Sequence, residues 1–191
     1  MESNYICHSG GCPGADMEWE KECELYGIPT IAYSFPKHIQ EGKNPKILTQ
    51  EELDEGWEQV LKCEKLIKRP LHNIKYNYYV KNLLCRNWFQ VKNSDAIYAI
   101  GKLVGNSERL VDGGTGWAVQ MAINNKKVVW LFEQNLNQWF AYVDKIGKFV
   151  DFQKGVSPKL INSFAGIGTR KINDYGKQAI KEILKFNLDE H

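Results

Sequence analysis

The sequence has no excess of charge of either sign and no long apolar run. Its 25 Lys and Arg residues face 23 Asp and Glu residues, which leaves a net charge of +2. So weak a field gives no argument for binding nucleic acid or a membrane surface, and any site for an anion must be local. No apolar stretch approaches the roughly 20 residues that span a bilayer, and the first residues do not resemble a signal peptide. We therefore expect a cytoplasmic protein with no membrane partner.

Cysteine is present, but in no pairing pattern. The five cysteines are an odd number and are scattered, with no C-x-x-C pair. Neither a disulfide framework nor a zinc ribbon is therefore indicated. The run from Cys7 to Cys12 includes His8, but no second ligand pair with zinc-type spacing accompanies it. We expect reduced thiols, no metal and no resident cofactor.

Size and composition favour one domain. Hydrophobic residues make up 43% and charged residues 25% of the 191 residues, values close to those of ordinary globular proteins. A chain of this length can bury about two thirds of its unfolded surface in one core but is short for two domains. We expect a single domain over residues 1–191.

Two strand–helix–strand units are indicated by the apolar pattern. The first unit covers residues 5–34 and the second covers residues 94–132. In each unit, a strand-like run is followed by a glycine cluster, a helix and a further strand. A third strand is predicted at residues 160–165, a glycine loop at 166–170 and a helix at about 173–186. Such units are typical of a parallel sheet covered by helices.

Two segments are additions to this pattern. A helical insertion at about residues 49–92 opens with a capping-box pattern at Thr49 and Glu52, and an edge element at about residues 137–154 alternates aromatic and polar residues. The expected fold class is α/β, a Rossmann-like three-layer fold with a mostly parallel central sheet and an extra β-hairpin or edge insertion.

The three glycine-rich segments are expected to form one site. Loops at the carboxyl ends of parallel strands gather at one edge of the sheet, where ligands bind at a topological switch point. A helix N-terminus offers unpaired N–H groups, and glycine lets the backbone approach a phosphate closely.

The first segment combines glycines with a hydroxyl and a carboxylate. A carboxylate repels phosphate, so Asp16 either caps its helix or accepts a hydrogen bond from a ligand hydroxyl, and both readings stay open. If the protein is an enzyme, Asp16 is the candidate catalytic residue. The ligand-binding candidates here are Ser9, Gly10, Gly11, Gly14 and Asp16.

The second segment has three glycines in four positions, more than a simple turn requires. Its candidates are Gly113, Gly114, Thr115 and Gly116. Trp117 follows this segment, and two roles stay open for it: packing in the core or stacking on a base.

The third segment contributes Gly166, Gly168, Thr169 and Arg170. The planar guanidinium of Arg170 suits a phosphate or a carboxylate. On a predicted helix, Arg86, Asn87 and Gln90 are polar groups among apolar neighbours, and they either contact the ligand or satisfy buried backbone.

These motifs resemble the SLOG superfamily, a Rossmann-like group that includes DNA-processing protein A, the lonely-guy phosphoribohydrolases and nucleotide-sensing domains of bacterial immune systems. Residues 9–16 resemble its S-G-G-x-x-G-A-D loop, residues 113–116 its G-G-T-G segment, and residues 166–170 its G-I-G-[ST]-R opening. Residues 84–91 resemble an R-N-x-x-Q-V helix of phage-encoded members. In the relatives the G-I-G-[ST]-R unit comes first, so the resemblance implies a circular permutation.

One departure bears on activity. Lonely-guy hydrolases carry a glutamate after their glycine motif, where this chain has Gln120, which hydrogen-bonds but is no general acid or base. The resemblance therefore implies a ligand-binding role for Gln120 and favours binding over cleavage.

Three functions follow as hypotheses. The first is capture of a phosphate-bearing nucleotide derivative, of ADP-ribose or cyclic nucleotide type, by a phage-type sponge that opposes host immune signalling and forms a homo-oligomer. The second is hydrolysis of an N-glycosidic or phosphoribosyl bond. The third and weakest is binding of single-stranded DNA, since nucleic acid is an unexpected partner at this net charge.

Overall fold

The computed structural model describes residues 3–105 and 107–188. It has the α/β architecture that the sequence predicts, a mostly parallel sheet of eight strands between two layers of helices. The strands are β1 (Ile6–Ser9), β2 (Thr30–Ser34), β3 (Pro45–Ile47), β4 (Ala96–Gly101), β5 (Val128–Glu133), β6 (Gln138–Val143), β7 (Lys148–Asp151) and β8 (Ser163–Gly168). The helices are α1 (Ala15–Leu25), α2 (Gln50–Ile67), α3 (Tyr78–Lys92), α4 (Thr115–Asn124) and α5 (Asp174–Leu188).

The sheet has the order β3-β2-β1-β8-β4-β5-β6-β7. The strands from β3 to β5 pair in parallel, whereas β6 and β7 pair antiparallel at the edge. Both expected strand–helix–strand units are therefore present, and the expected edge hairpin is β6–β7. The last strand in the chain, β8, lies in the centre between β1 and β4.

Side chains alternate between the two faces of the central strands. On β4, Ile97 and Ala99 join the core under α2, α3 and α4, whereas Tyr98 and Ile100 join the core under α1 and α5. A strand buried on both faces needs apolar residues at every position, and all six residues of β4 are buried. This explains the continuous apolar run in the sequence.

Local signals set the ends of the inserted helices. The Thr49 hydroxyl accepts from the N–H of Glu52, whose carboxylate accepts from the N–H of Thr49, so the predicted capping box is formed. The Asn77 side chain caps α3 by accepting from the N–H of Val80. The two helices pack on each other and on α4, and so build the layer that covers one face of the sheet.

Two boundaries differ from the sequence-based expectation. The short strand β3 is not among the predicted strands; it forms because its backbone pairs with β2, although all three of its residues are exposed. The strand predicted at residues 160–165 is β8, which begins and ends about three residues later. Gly166 and Gly168 therefore lie in a strand and not in a loop, where they pair with Tyr98 and Ile100 of β4.

The glycines of β8 face helix α1. A Cβ on Gly166 would lie 2.5 Å from Cγ of Trp19, and a Cβ on Gly168 would lie 2.7 Å from Cβ of Ala15. Their missing side chains let α1 pack closely on the sheet, which gives both glycines a packing role.

We expect Gly166→Ala to destabilise the fold by about 1–3 kcal/mol, because the added methyl group overpacks the site against the Trp19 ring. Urea unfolding measures the change. Gly114→Ala is the matched control: its φ is ordinary for an L-residue, no described atom lies within 4 Å of its Cβ position, and it should unfold like the wild type. Equal stability of the two variants would contradict the packing role of Gly166.

Candidate functional site

A cavity of about 670 Å³ opens at the carboxyl ends of the central strands. Its floor includes Gly101 at the end of β4 and Ile167 and Gly168 at the end of β8, and residues of α3 form the opposite wall. The chain leaves β1 towards β2 on one side and leaves β4 towards β5 on the other, with β8 between them. The cavity thus lies at a topological switch point of the sheet, as the sequence predicts for its glycine segments.

The first glycine loop is satisfied by the protein itself. The Ser9 hydroxyl accepts from the N–H of Gly11, and the N–H of Ala15, at the start of α1, donates to the carbonyl of Thr169. A Cβ on Gly14, whose φ is +105°, would lie 2.5 Å from Cα of Arg170. These residues pack the loop against the end of β8, which leaves little of its backbone for a phosphate.

Gly10 makes room for Arg86. A Cβ on Gly10 would overlap the guanidinium of Arg86, which therefore lies directly against the loop backbone. Arg86 is 5% exposed and donates to Gln90 Oε1 at 2.8 Å and to Cys12 Sγ at 3.0 Å. Arg86 and Gln90 of α3 thus bond to each other, and Arg86 also bonds to the first loop, while both residues border the cavity.

Asp16 and Arg86 form a buried ion pair. Arg86 Nη2 lies 3.4 Å from Asp16 Oδ2, and each residue is 5% exposed. Burial raises the pKa of Asp16 above its ordinary value, and the guanidinium, together with the backbone of Cys12 and Gly168, opposes that rise. Asp16 borders the cavity, so it combines the internal bonding role with a position from which it can meet a ligand.

The second glycine loop is open. No described atom lies within 4 Å of the Cβ positions of Gly113 and Gly114, and both residues are exposed. Gly114 is the N-cap of α4, and among the described residues no side chain caps that end. The positive end of the α4 dipole therefore faces the cavity beside exposed backbone, which is the arrangement that binds anions in proteins.

Arg69, at the end of α2, holds this loop in place. Its Nη1 donates to the carbonyl of Gly113 and its Nη2 to the carbonyl of Val111 at 2.7 Å. The Asn87 amide donates to the carbonyl of Gly114 at 3.4 Å. With its carbonyls bound from outside, the loop has its orientation fixed by α2 and α3.

The third segment brings cations to the rim of the cavity. The residues that follow β8 border the cavity: Thr169, Arg170 and Lys171. Lys102, which follows β4, also borders it. Arg170, Lys171 and Lys102 are exposed. Helix α5 begins only at Asp174, where the Asn173 side chain caps it, so Arg170 lies outside its first turn. The third segment therefore contributes positive charge to the site, but it does not contribute the N-terminus of a helix.

An apolar wall faces these charges. It is formed by Ile74, Val80, Leu83, Leu84 and Trp117. Trp117 is 3% exposed and belongs to the core while bordering the cavity, so its core role is confirmed and stacking on a base stays a prediction. The sequence did not identify the other wall residues or Arg69 and Lys102, because their positions depend on how the α2–α3 insertion folds over the sheet.

Several candidate residues lie away from the cavity. Among the described residues, the cavity wall does not include Ser9, Gly10, Gly11, Gly14, Gly116, Gln120 or Gly166. A Cβ on Gly116 would overlap the carbonyl of Val111, so this glycine serves the close approach of loop and helix. The Gln120 amide donates to Asn124 Oδ1 at 2.9 Å and is buried in the α4 layer. The structure thus brings Thr115, Gly113 and Gly114 to the cavity but not the rest of that motif.

Glu20 is a second buried carboxylate behind the first loop. It is 5% exposed, and neither of its oxygens makes a well-formed hydrogen bond within the described residues, although the Ser9 hydroxyl and the backbone of Gly11 and Lys43 lie near it. Burial raises the pKa of Glu20 and the nearby Asp16 charge adds to the rise, while the Ser9 hydroxyl opposes it. Asp16 and Glu20 lie one turn apart on α1 and both have raised pKa values, so the charge of this region changes with pH.

Metal and membrane features are absent from the described part of the chain. Within residues 3–105 and 107–188, no group of three or more His, Cys, Asp or Glu side chains is placed to hold a metal ion. No described helix is both long and apolar enough to cross a membrane. All five cysteines are buried and unpaired.

Comparison with protein-family models, curated proteins and solved structures finds no match for this chain. The cavity, its charges and its apolar wall are therefore the basis for interpreting the site.

We expect Arg86→Met to destabilise the protein by about 3–5 kcal/mol at pH 7, because it leaves the Asp16 carboxylate buried without its cation. The loss should shrink as the pH falls towards the ordinary pKa of an aspartate, since protonation removes the unpaired charge. Urea unfolding at several pH values measures both effects. The double variant Asp16→Asn, Arg86→Met should recover most of the loss, and a recovery of less than half would contradict a direct pairing.

We expect Glu20→Gln to stabilise the protein at pH 8, by about 1–2 kcal/mol, because it removes a buried charge that makes no well-formed hydrogen bond within the described residues. A carboxyl whose pKa is raised on folding favours the folded state at low pH and loses that contribution as the pH rises. The advantage of the variant should therefore be largest at pH 8 and decline towards pH 4.5. Thermal unfolding across this range is the measurement, and a pH-independent difference would show that the Glu20 charge is not the cause.

Proposed function

We propose that the protein binds a phosphate-bearing nucleotide derivative, of ADP-ribose or cyclic nucleotide type, in the central cavity and holds it without cleaving it. The observation that carries the proposal is that one cavity combines an open helix N-terminus, a cationic rim and an apolar wall. Its volume of about 670 Å³ is within the usual range for small-ligand sites. The helix N-terminus and the cationic rim match the phosphate of a nucleotide, and the apolar wall matches its base.

The phosphate end of the proposed ligand lies at the second glycine loop. There Gly113 and Gly114 expose their backbone at the start of α4, and Arg170 and Lys102 add positive charge from neighbouring strand ends. An anion in this position interacts with the helix dipole and with guanidinium donors together. Asp112 also borders the cavity; its carboxylate accepts from the N–H of Gly113 and lies 3.7 Å from Arg69 Nη2, which offsets its negative charge beside the phosphate.

The base and sugar of the proposed ligand occupy the remainder of the cavity. Leu83 and Val80 offer apolar surface to a base, and the edge of Trp117 borders the same space. Arg86 and Gln90 border the same cavity, and Arg86 Nε and Gln90 Nε2 are buried donors without a partner among the described residues. A small movement of these side chains would bring the two donors to acceptor atoms of a sugar or a base.

The resemblance to the SLOG superfamily supports capture over catalysis. Gln120 occupies the motif position of the lonely-guy glutamate, and it is bonded to Asn124 within the α4 layer. A phage-type sponge that sequesters a messenger of a bacterial immune system is the role we propose for such capture. Homo-oligomer formation belongs to the same proposal.

Hydrolysis of an N-glycosidic bond is a second candidate, and one observation favours it. Asp16 borders the cavity, and burial raises its pKa, which is the condition for a carboxyl group to hold a proton for a leaving group. Its pairing with Arg86 works against this role, because the guanidinium stabilises the ionised form.

Mass spectrometry of heat-released ligand tests both candidates. The purified protein is incubated with ADP-ribose, with cyclic nucleotides and with a nucleotide extract, then washed and heated. We expect one compound to be recovered unchanged and in a stoichiometric amount. Release of a free base or a ribose phosphate would support hydrolysis, and recovery of no compound would contradict the proposed ligand class.

We expect Arg170→Gln to weaken binding of the recovered ligand by about 10- to 100-fold, since it removes a charge-assisted hydrogen bond. Calorimetric titration measures the affinity. Lys154→Gln is the matched control, because it removes the same charge from an exposed residue outside the cavity wall. Equal affinity of the two variants would place the phosphate away from Arg170.

A further inference from the structure

Arg69 reaches the second glycine loop from outside the cavity. Its Nη1 donates to the carbonyl of Gly113, and its Nη2 donates to the carbonyl of Val111 at 2.7 Å and lies 3.7 Å from Asp112 Oδ1. Within the described residues, Gly113 and Asp112 belong to the cavity wall, whereas Arg69 does not. Arg69 can therefore affect a ligand in the cavity only through this loop or through its charge.

The backbone on both sides of Arg69 is fixed. Lys68, which precedes it, is the C-cap of α2 and has a left-handed φ of +54°. Pro70, which follows it, has its own φ restricted by its ring. The N–H of Leu71 donates to Glu64 Oε1 at 2.9 Å, and Leu71 is 3% exposed in the core. The Arg69 side chain thus begins from a rigid base, so its two hydrogen bonds constrain the loop.

Gly116 makes room for this arrangement. A Cβ on Gly116 would overlap the carbonyl of Val111 and would lie 3.1 Å from Arg69 Nη1. A side chain there would push the carbonyl and the guanidinium apart. The last glycine of the second segment therefore serves the contact between Arg69 and the loop, although Gly116 itself lies outside the cavity wall as far as the described residues define it.

The bond from Arg69 to Gly113 sets the direction of the next N–H group. The peptide between Gly113 and Gly114 is trans, so the carbonyl of the first residue and the N–H of the second point in opposite directions. The carbonyl of Gly113 also accepts from the N–H of Gly116 at 3.3 Å. Because both of these donors lie outside the cavity wall, the N–H of Gly114 is directed to the cavity side. It has no hydrogen-bond partner among the described residues.

We propose that Arg69 is a positioning residue for an anionic group: it binds the loop carbonyls outside the cavity and so presents the N–H of Gly114 to the anion. This inference rests on the proposed function, because the same loop is the proposed phosphate site. Holding two carbonyls at once requires the planar fork of an arginine, since a lysine offers a single ammonium centre. Arg69 also offsets the Asp112 charge beside the anion.

An NMR titration of the isotope-labelled protein with inorganic phosphate tests the proposal. The amide signal of Gly114 reports on the loop, and its shift against phosphate concentration gives the dissociation constant. We expect a saturable shift in the wild type. Arg69→Gln should raise the dissociation constant about 10-fold. Arg69→Lys should raise it by nearly as much, because lysine keeps the charge but not both hydrogen bonds.

Two controls separate positioning from charge and from stability. Lys65→Gln removes the same charge from an exposed residue earlier in α2 that is outside the cavity wall, and it should leave the dissociation constant unchanged. Urea unfolding gives the stability of each variant and so identifies the conditions in which all of them are folded. A merely structural Arg69 would lower the stability of its variants without changing the phosphate affinity of the folded protein.

Three results would overturn the proposal. The first is equal phosphate affinity of the wild type and Arg69→Gln. The second is full affinity in Arg69→Lys, which would assign the effect to charge alone. The third is a wild type without a saturable shift at Gly114. The recovered-ligand experiment tests the proposed function separately, so a nucleotide recovered from a protein that fails any of these tests would leave the proposed function standing without this role for Arg69.

Discussion

The buried ion pair between Asp16 and Arg86 is the interaction on which the rest of the site depends. It joins the first turn of α1 to the middle of α3, across the end of the central strands, with Gly10 beneath the guanidinium. Removing two charges from water is costly, and the bonds from Arg86 to Gln90 and Cys12 offset part of that cost. The pair therefore fixes where α3 lies above the sheet, and with it the height and shape of the cavity.

The three glycine segments have separate tasks, although their sequences look alike. The first is closed by its own hydrogen bonds and by Arg86, and the β8 glycines admit Trp19 and Ala15 of α1. Only the second, at Gly113 and Gly114, exposes backbone at the start of a helix. Glycine is used in one case for close packing and in the other for access, and the difference depends on what lies above each residue.

Charge is distributed in the cavity according to depth. At the rim, Arg170, Lys171 and Lys102 are exposed, whereas at the polar end Arg86 is balanced by Asp16. An anionic group entering from solvent thus meets unpaired positive charge first, and the deeper region offers hydrogen-bond donors with little net charge. A ligand with a phosphate at one end and neutral polar groups at the other matches this order, and it is the class of molecule that we propose.

The sequence by itself determined the fold class, both strand–helix–strand units, the capping box of α2 and the edge hairpin, because these depend on local periodicity, capping and turn residues. It also brought the three glycine segments to one edge of the sheet, since parallel strands order their ends. Only the tertiary structure decided which glycines are open, that Gly166 packs on Trp19 and that Gln120 is bonded within the α4 layer. It also decided that Arg69 and Cys12 belong to the surroundings of the site. The physical reason is that exposure, ion pairing and proton affinity are set by neighbours distant in sequence, and no local pattern encodes which helix will cover which loop.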